Sequence, residues 1–454
     1  MSKPSASGGQ GVPGRATTAP AAGQQQPGAP HRPINTSGAV AKTSASGPPA
    51  SQKGQKGKGR GTSRKERSTP TKLRMIRGAT VAVILLTSLL TAVLMFSGRG
   101  SMTQAAGHTE QLIRMHHIKT LLLQADADAT TSFLTGQEAT TYVSAIEEAS
   151  TLVVEASRSQ PADQEQLARL NSAIVEYNAT ASLATANNQQ NFPVGAAHLD
   201  EAGTQLREEA LPVVDSLITA NTHAVEQQTQ MVPAGVVLLV LLVPLGFAIY
   251  LMIWVARRFK RVVNIGIVGA TVAVAASTVV ATMATSTTVA EVRSVTDDDL
   301  AAAVAIADAR SNAYNAQVYQ NLSLISQERS AEFNAAWQNA AVSVTQSLRD
   351  AGEQDLVDLW QVNETNHRKI RSLDADGDVD GAKKLATSQE VGAAFADFSD
   401  SANERLGTNA RASTAAFNDS GPRLVAAGVT VSVLGPLAAG LMIWGVGARL
   451  REYQ

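Results

Sequence analysis

Hydrophobic and polar residues follow two regimes along this chain. Four stretches are continuously apolar: Gly78–Gly98, Val232–Trp254, Asn264–Met283 and Leu424–Gly447. None of them contains Asp, Glu, Lys, Arg or His. Each has about the 20 residues that a helix needs to cross a bilayer core. Asn264–Met283 is the most dilute, because Ala, Ser and Thr interrupt its Val and Ile.

Between these stretches, apolar residues recur every three or four positions, the period of one helix face. Leu167, Leu170, Ile174 and Tyr177 share such a face, and Leu356, Leu359 and Trp360 open another. Breakers "LTGQE", "SRSQPAD" and "NNQQNFPVG" divide the first segment; "SQERS", "RDAGEQ" and "LDADGDVDG" divide the second. Each segment therefore predicts four antiparallel helices, the first and last running on from the spans without a break. The expected fold is all-α: a four-span transmembrane protein with two tandem extracytoplasmic four-helix bundles and a disordered N-terminal tail. The expected boundaries are tail 1–77, span 78–98, bundle 99–231, span 232–254, loop 255–263, span 264–283, bundle 284–423, span 424–447 and C-terminus 448–454.

The hexamer Gly-Ala-Thr-Val-Ala-Val occurs at Gly78–Val83 and again at Gly269–Val274, 191 residues later. Further matches follow in the same order: "ADAD" at 125 with "ADAR" at 307, "VGAAHL" at 194 with "DGAKKL" at 380, and "LMIW" at 251 and 441. Ordered matches predict one unit, span–bundle–span, present twice in parallel. The small residues Gly78, Ala79, Gly269 and Ala270 suit close helix contact, so the first and third spans are expected to meet near Ala82 and Ala273.

Charge adds orientation. Lys72, Arg74 and Arg77 precede the first span, Arg257, Arg258, Lys260 and Arg261 separate the second from the third, and Arg449 and Arg451 follow the fourth. Positive flanks face the cytoplasm, which places both termini inside and both bundles outside. Some 77 residues precede the first span, too many for a cleaved signal peptide. Residues 1–77 carry 14 Lys+Arg against one acid, Glu66. That tail is rich in Gly, Ser, Pro and Gln, which predicts disorder. Its basic cluster suits anionic lipid, and phosphorylation at Ser68 or Thr69 in "RSTP" would cancel part of the charge. It lacks interleaved aromatics and a nucleic-acid-binding fold, so no nucleic-acid partner is expected.

The chemistry is sparse. The chain has no cysteine, and no P-loop, nucleophile elbow or H-x-x-x-H pair stands out. No enzyme activity, metal or cofactor is expected. "DADGDVDG" fails as a calcium loop, because counting from Asp374 its sixth residue is Val379 and its twelfth Leu385; it reads as an acidic helix-capping turn. His116 and His117 are adjacent and diverge by about 100° on a helix, so they cannot chelate together. Asp126 and Asp308 are the ligand-binding candidates, at matched positions in the "ADAD" and "ADAR" steps. A solvated face is their expected setting, a polar seam the alternative. Spans free of ionisable residues argue against an ion-coupled transporter.

The layout of a span leading into a helical bundle, an "ADA" first helix and a "GD…GA…L" turn at Gly377, Asp378, Gly381, Ala382 and Leu385 resembles the four-helix sensor domain of methyl-accepting chemoreceptors. No HAMP segment, methylated hairpin, kinase or cyclase follows any span. With its duplicated layout and basic leader, the chain resembles the actinobacterial four-span membrane proteins that act with a glutamine-binding lipoprotein and a soluble serine/threonine kinase. That resemblance implies detection of an extracellular small molecule such as an amino acid, directly or through a solute-binding protein, and signalling to a kinase inside. The alternative is an envelope scaffold that binds other proteins and senses nothing.

Overall fold

The computed structural model describes residues 69–137, 140–259 and 264–451. Most of the expected disordered tail, with Ser68, lies outside the described residues, as does the loop stretch 260–263; Thr69 enters only as the first residue of a helix. Among the described residues every regular element is helical.

Helix α1 (Thr69–Thr135) carries the first apolar stretch and the first bundle helix as one rod of 67 residues, about 100 Å long. Next come α2 (Thr140–Ser159), α3 (Gln164–Gln189) and α4 (Val194–Gln205), which passes through a π-helical turn at Leu206–Ala210 into α5 (Leu211–Thr229). Helix α6 (Ala234–Phe259) holds the second apolar stretch. The second half follows the same order. Helix α7 (Ile265–Ser294) continues through a π-helical turn at Val295–Leu300 into α8 (Ala301–Ile325), followed by α9 (Ser330–Asp350), α10 (Gln354–Ala375), α11 (Val379–Ala386) and α12 (Gln389–Arg451). Among the described residues four helices are long and apolar enough to cross a membrane, as in a membrane protein.

The breakers act where the sequence places them. Gly136, Gly352 and Gly377 leave α1, α9 and α10 at φ 68°, 72° and 85°, the left-handed conformation that ends helices at little cost to glycine. Asn191 does the same after α3 at φ 56°. In the "DADGDVDG" turn, the Asp378 carboxylate accepts from Gly381 N at 2.9 Å and caps α11.

The last helix of the first bundle does not run on into its span: residues 230–233 leave the helix between α5 and α6. Pro233 supplies the reason. It has no N–H for a continuing helix and pushes the preceding residue towards extended backbone; the new helix restarts from its carbonyl, with Val236 N bonding Pro233 O at 2.8 Å. Helix α12 differs. It carries Pro422 and Pro436 internally and still runs unbroken for 63 residues.

The four spans form a square in which α12 and α6 each touch both α1 and α7. The two hexamers are packed differently: the second lies against α12, with a Cβ on Gly269 3.3 Å from Leu441 and Ala270 fully buried, and the first is largely open. Gly78 has nothing within 4 Å of its Cβ direction, and Ala82 is exposed; Thr80 and Ile84 are the buried residues of that stretch. The close crossing is Gly266 against Gly445, where a Cβ on Gly266 would stand 2.5 Å from the Gly445 Cα. Asn264 locks it, capping α7 with its Oδ1 while its Nδ2 donates to Gly445 O at 2.7 Å.

Outside the spans, the two bundles share a core. Tyr314, Val318 and Leu322 of α8 and Phe333 of α9 pack into the cluster built from α1–α5, and Ile113 of α1 packs against the cluster of the second bundle. Helices α1 and α8 lie side by side at the centre. Their polar contacts join residues 190 to 192 apart, among them Thr120 Oγ1 with Ser311 Oγ at 3.2 Å, and Asn321 Nδ2 with Thr130 Oγ1 at 3.0 Å and Thr131 Oγ1 at 2.9 Å. At a spacing of 191 the residue that corresponds to Asp126 is Gln317, whereas the sequence match of "ADAD" with "ADAR" pairs it with Asp308.

Because the chain has no native cysteine, crosslinking tests this arrangement cleanly. Cysteines at Thr120 and Ser311 should oxidise to a disulfide, seen as one linked peptide pair by mass spectrometry after proteolysis. Cysteines at Ala82 and Ala273 should remain reduced. The reverse pattern would refute the placement of both helix pairs.

Candidate functional site: the seam between the bundles

Alanine makes the seam. Ala303, Ala307, Ala309, Ala313 and Ala316 are all fully buried on α8. Short side chains on several faces let α8 pack α1, α9 and α12 at once. Charged residues in such a place must find partners or stay desolvated.

Lys119 and Arg310, 191 residues apart, project from α1 and α8. Each reaches towards the helix that returns to the membrane in its own bundle. Lys119 Nζ meets Asp215 of α5 at 2.8 Å. Arg310 meets only neutral groups of α12: Nη1 donates to Asn403 Oδ1 at 2.9 Å and Nη2 to Ser399 Oγ at 3.4 Å, and Nε is buried without a partner. Tyr314 completes the cluster, its hydroxyl 3.1 Å from Ser399 Oγ. Burial lowers the Arg310 pKa, opposed by Tyr314 and the field of Asp400. Arg310 is 7% exposed and in no ion pair among the described residues. A buried guanidinium held only by neutral groups is poised for an anion.

Below Arg310 towards the spans, an open groove of about 690 Å³ runs between α1–α2 and α12. Arg114 and Arg411 line it with Glu110, Glu155 and His117. Arg114 donates to Gln111 Oε1 at 2.6 Å and Arg411 to Gly407 O at 2.8 Å. Neither arginine and neither of those glutamates is in an ion pair among the described residues. His117 sits 3.6 Å from Glu148; burial lowers its pKa, Glu148 raises it and the charge of Arg310 lowers it further. His117 therefore links the groove electrically to Arg310. Cations and carboxylates outside any internal ion pair, in a cleft of drug-sized volume, can take a small zwitterion.

The two aspartates expected as candidates are not brought together. Asp126 is not on a solvated face. It is turned into the first bundle, 2% exposed, with Arg207 Nη1 at 3.2 Å and the Tyr177 hydroxyl at 3.4 Å. Burial raises its pKa and outweighs Arg207. Arg207 reaches it from the π-helical turn, over Gly203, where any Cβ would strike the guanidinium. Asp308 does lie on the seam, half-exposed, 3.6 Å from His116 Nδ1. That contact is not an ion pair near neutral pH, because burial pushes His116 down to about 4. Neither His116 nitrogen has a hydrogen-bond partner. Asp128, beside Thr141, is pushed up to about 6 by burial. Arg310 and Lys119 were passed over in the sequence; their shared 191-residue spacing was the available signal. No cluster of three or more metal-ligating side chains occurs among the described residues.

Residues 101–230, the first bundle, match the family model of an actinobacterial sensor domain. Neither curated proteins nor solved structures gave a match. The first bundle is thus similar to a domain that serves sensing, and a sensing or signalling role is supported.

His116 makes the seam sensitive to acid. Its folded pKa of about 4 lies below the ordinary 6.5, so between these values the unfolded chain binds more protons and stability falls as pH falls. Lys119 lowers the pKa and Asp215 raises it; Asp308 also faces it. His116→Leu should raise the melting temperature and flatten its decline between pH 6.5 and 4, read by scanning calorimetry of the detergent-solubilised chain. A constant offset from the parent at every pH would refute the assignment.

Proposed function

We propose that the chain is a membrane sensor that binds an extracellular small molecule bearing a carboxylate and an ammonium group, an amino acid in the simplest case, in the groove between its two bundles. The carrying observation is the groove itself, with Arg114 and Arg411 facing Glu110 and Glu155, all without ion-pair partners. Buried Arg310, whose charge acts on the groove residue His117, supports the same reading. A bound carboxylate would meet the arginines, and an ammonium the glutamates. Delivery of the ligand by a solute-binding protein is compatible with the open mouth of the groove.

The basic residues Arg74 and Arg77 before the first apolar stretch and Arg257 after the second lie at the ends away from the bundles, which supports bundles outside and both termini inside. The ordered matches and the 191-residue contact spacing support duplication of a single span–bundle–span unit. Signal transfer falls to α12, which lines the groove and continues unbroken through the membrane, and to α1 on the opposite wall. Small displacements of packed helices suffice for such transfer. A separate cytoplasmic partner, such as a soluble serine/threonine kinase, would receive the signal, and the basic tail, with Ser68 and Thr69, would meet that partner or anionic lipid. The protein has no catalytic role in this reading.

Calorimetric titration of the full chain in nanodiscs with the proteinogenic amino acids tests it. Saturable binding of at least one is expected, weakened about tenfold or more by Arg411→Gln, a loss of about 1.4 kcal/mol or more. Arg310→Met should abolish ligand-dependent stabilisation without lowering the ligand-free melting temperature, since it removes a desolvated charge. No binding by any of them would favour the scaffold reading.

A further inference from the structure

The second bundle contains a pocket that the seam does not use. It lies between α8, α9, α10 and α12, lined by Gln317, Gln320, Trp337, Trp360, Asn363 and Gly392 among others, and its volume is about 40 Å³. No Asp, Glu, Lys, Arg or His lines it. An ion entering it would lose its hydration without gaining a counter-charge, so the lining selects a neutral occupant.

The lining is nevertheless rich in unused hydrogen-bonding capacity. Trp360 is 2% exposed and its Nε1–H is buried without an acceptor. Such an orphan donor is destabilising unless something accepts from it. Asn363 spends its amide on the carbonyls of Leu359 and Ala394, both at 3.2 Å, which leaves Oδ1 as an acceptor. Gln320 is held from behind, its Oε1 2.9 Å from His367 Nδ1, and His367 is held in turn by Asn334 at 3.2 Å and by stacking on Trp337 at 3.5 Å. The walls are therefore fixed by bonds that leave Trp360 Nε1 and Asn363 Oδ1 unpaired among the described residues. Gln317 makes no hydrogen bond among the described residues.

We infer that this pocket binds the primary carboxamide group of a small neutral molecule, with the Trp360 indole N–H donating to its carbonyl oxygen and Asn363 Oδ1 accepting from its NH₂. The volume agrees. One water-sized occupant needs about 10–15 Å³, so the pocket holds about three, the number of non-hydrogen atoms in a carboxamide. Gly392 leaves a way in: a Cβ there would meet nothing within 4 Å. The inference does not rest on the reading of the seam.

The test uses the full chain with Trp254→Phe and Trp444→Phe, so that fluorescence reports Trp337 and Trp360 alone. Propionamide should shift the emission saturably, and propionate should not. Gly392→Leu adds a side chain on the first turn of α12 where a Cβ meets nothing within 4 Å, and should raise the half-saturating propionamide concentration about tenfold or more. Arg411→Gln in the seam groove should leave it unchanged, which separates failure of this site from failure of the groove. Three results would overturn the inference: no saturable shift, an equal shift with propionate, or a midpoint indifferent to Gly392→Leu.

Discussion

The side-by-side packing of α1 and α8 is the contact on which the remaining architecture depends. Each is the first helix of its bundle, and each contributes buried residues to the bundle of the other half or to its rim. Two ordinary four-helix bundles placed next to one another would each bury their own core and leave polar faces between. Here alanines on α8 bring the rods close enough for hydroxyl and amide side chains to bond directly, as Thr120 with Ser311 and Asn321 with Thr130. Hydroxyls suit that position because they can donate or accept, so two similar faces satisfy one another.

Closeness has an electrostatic cost, and the two halves meet it differently. Lys119 is neutralised by Asp215, while Arg310 receives only amide and hydroxyl oxygens from α12. Such a difference cannot arise between identical chains related by exact symmetry, where both sides must carry the same residues. The asymmetry concentrates unspent charge on one side, next to the groove that α12 lines. The first bundle spends its buried charge internally, on Asp126, Arg207 and Tyr177.

Much of the fold was legible because its signals are local. The spans announce themselves as long runs free of charge, and each turn carries a residue that tolerates left-handed backbone, such as Gly136, Asn191 or Gly377. Pro233 was equally visible, but the apolar run around it masked its effect as a helix break. The seam was far less legible. Thr120, Ser311 and Arg310 sit in Ala-rich helices where hydropathy alone makes them look solvated; only the packing of α8 on several sides buries them. The hexamers misled for a related reason. Small residues permit close contact without specifying a partner, and the partner of Gly266 turned out to be Gly445.

Carrying α1 and α8 in a single polypeptide has a consequence for the cell. When two chains must meet to build a seam, its occupancy follows their copy number, and dilution in the membrane dissolves it. Here the two rods are tethered, so the seam forms at an effective concentration set by the connecting helices alone. A seam built this way is as complete at a few copies per cell as at many, because it does not depend on an encounter between chains.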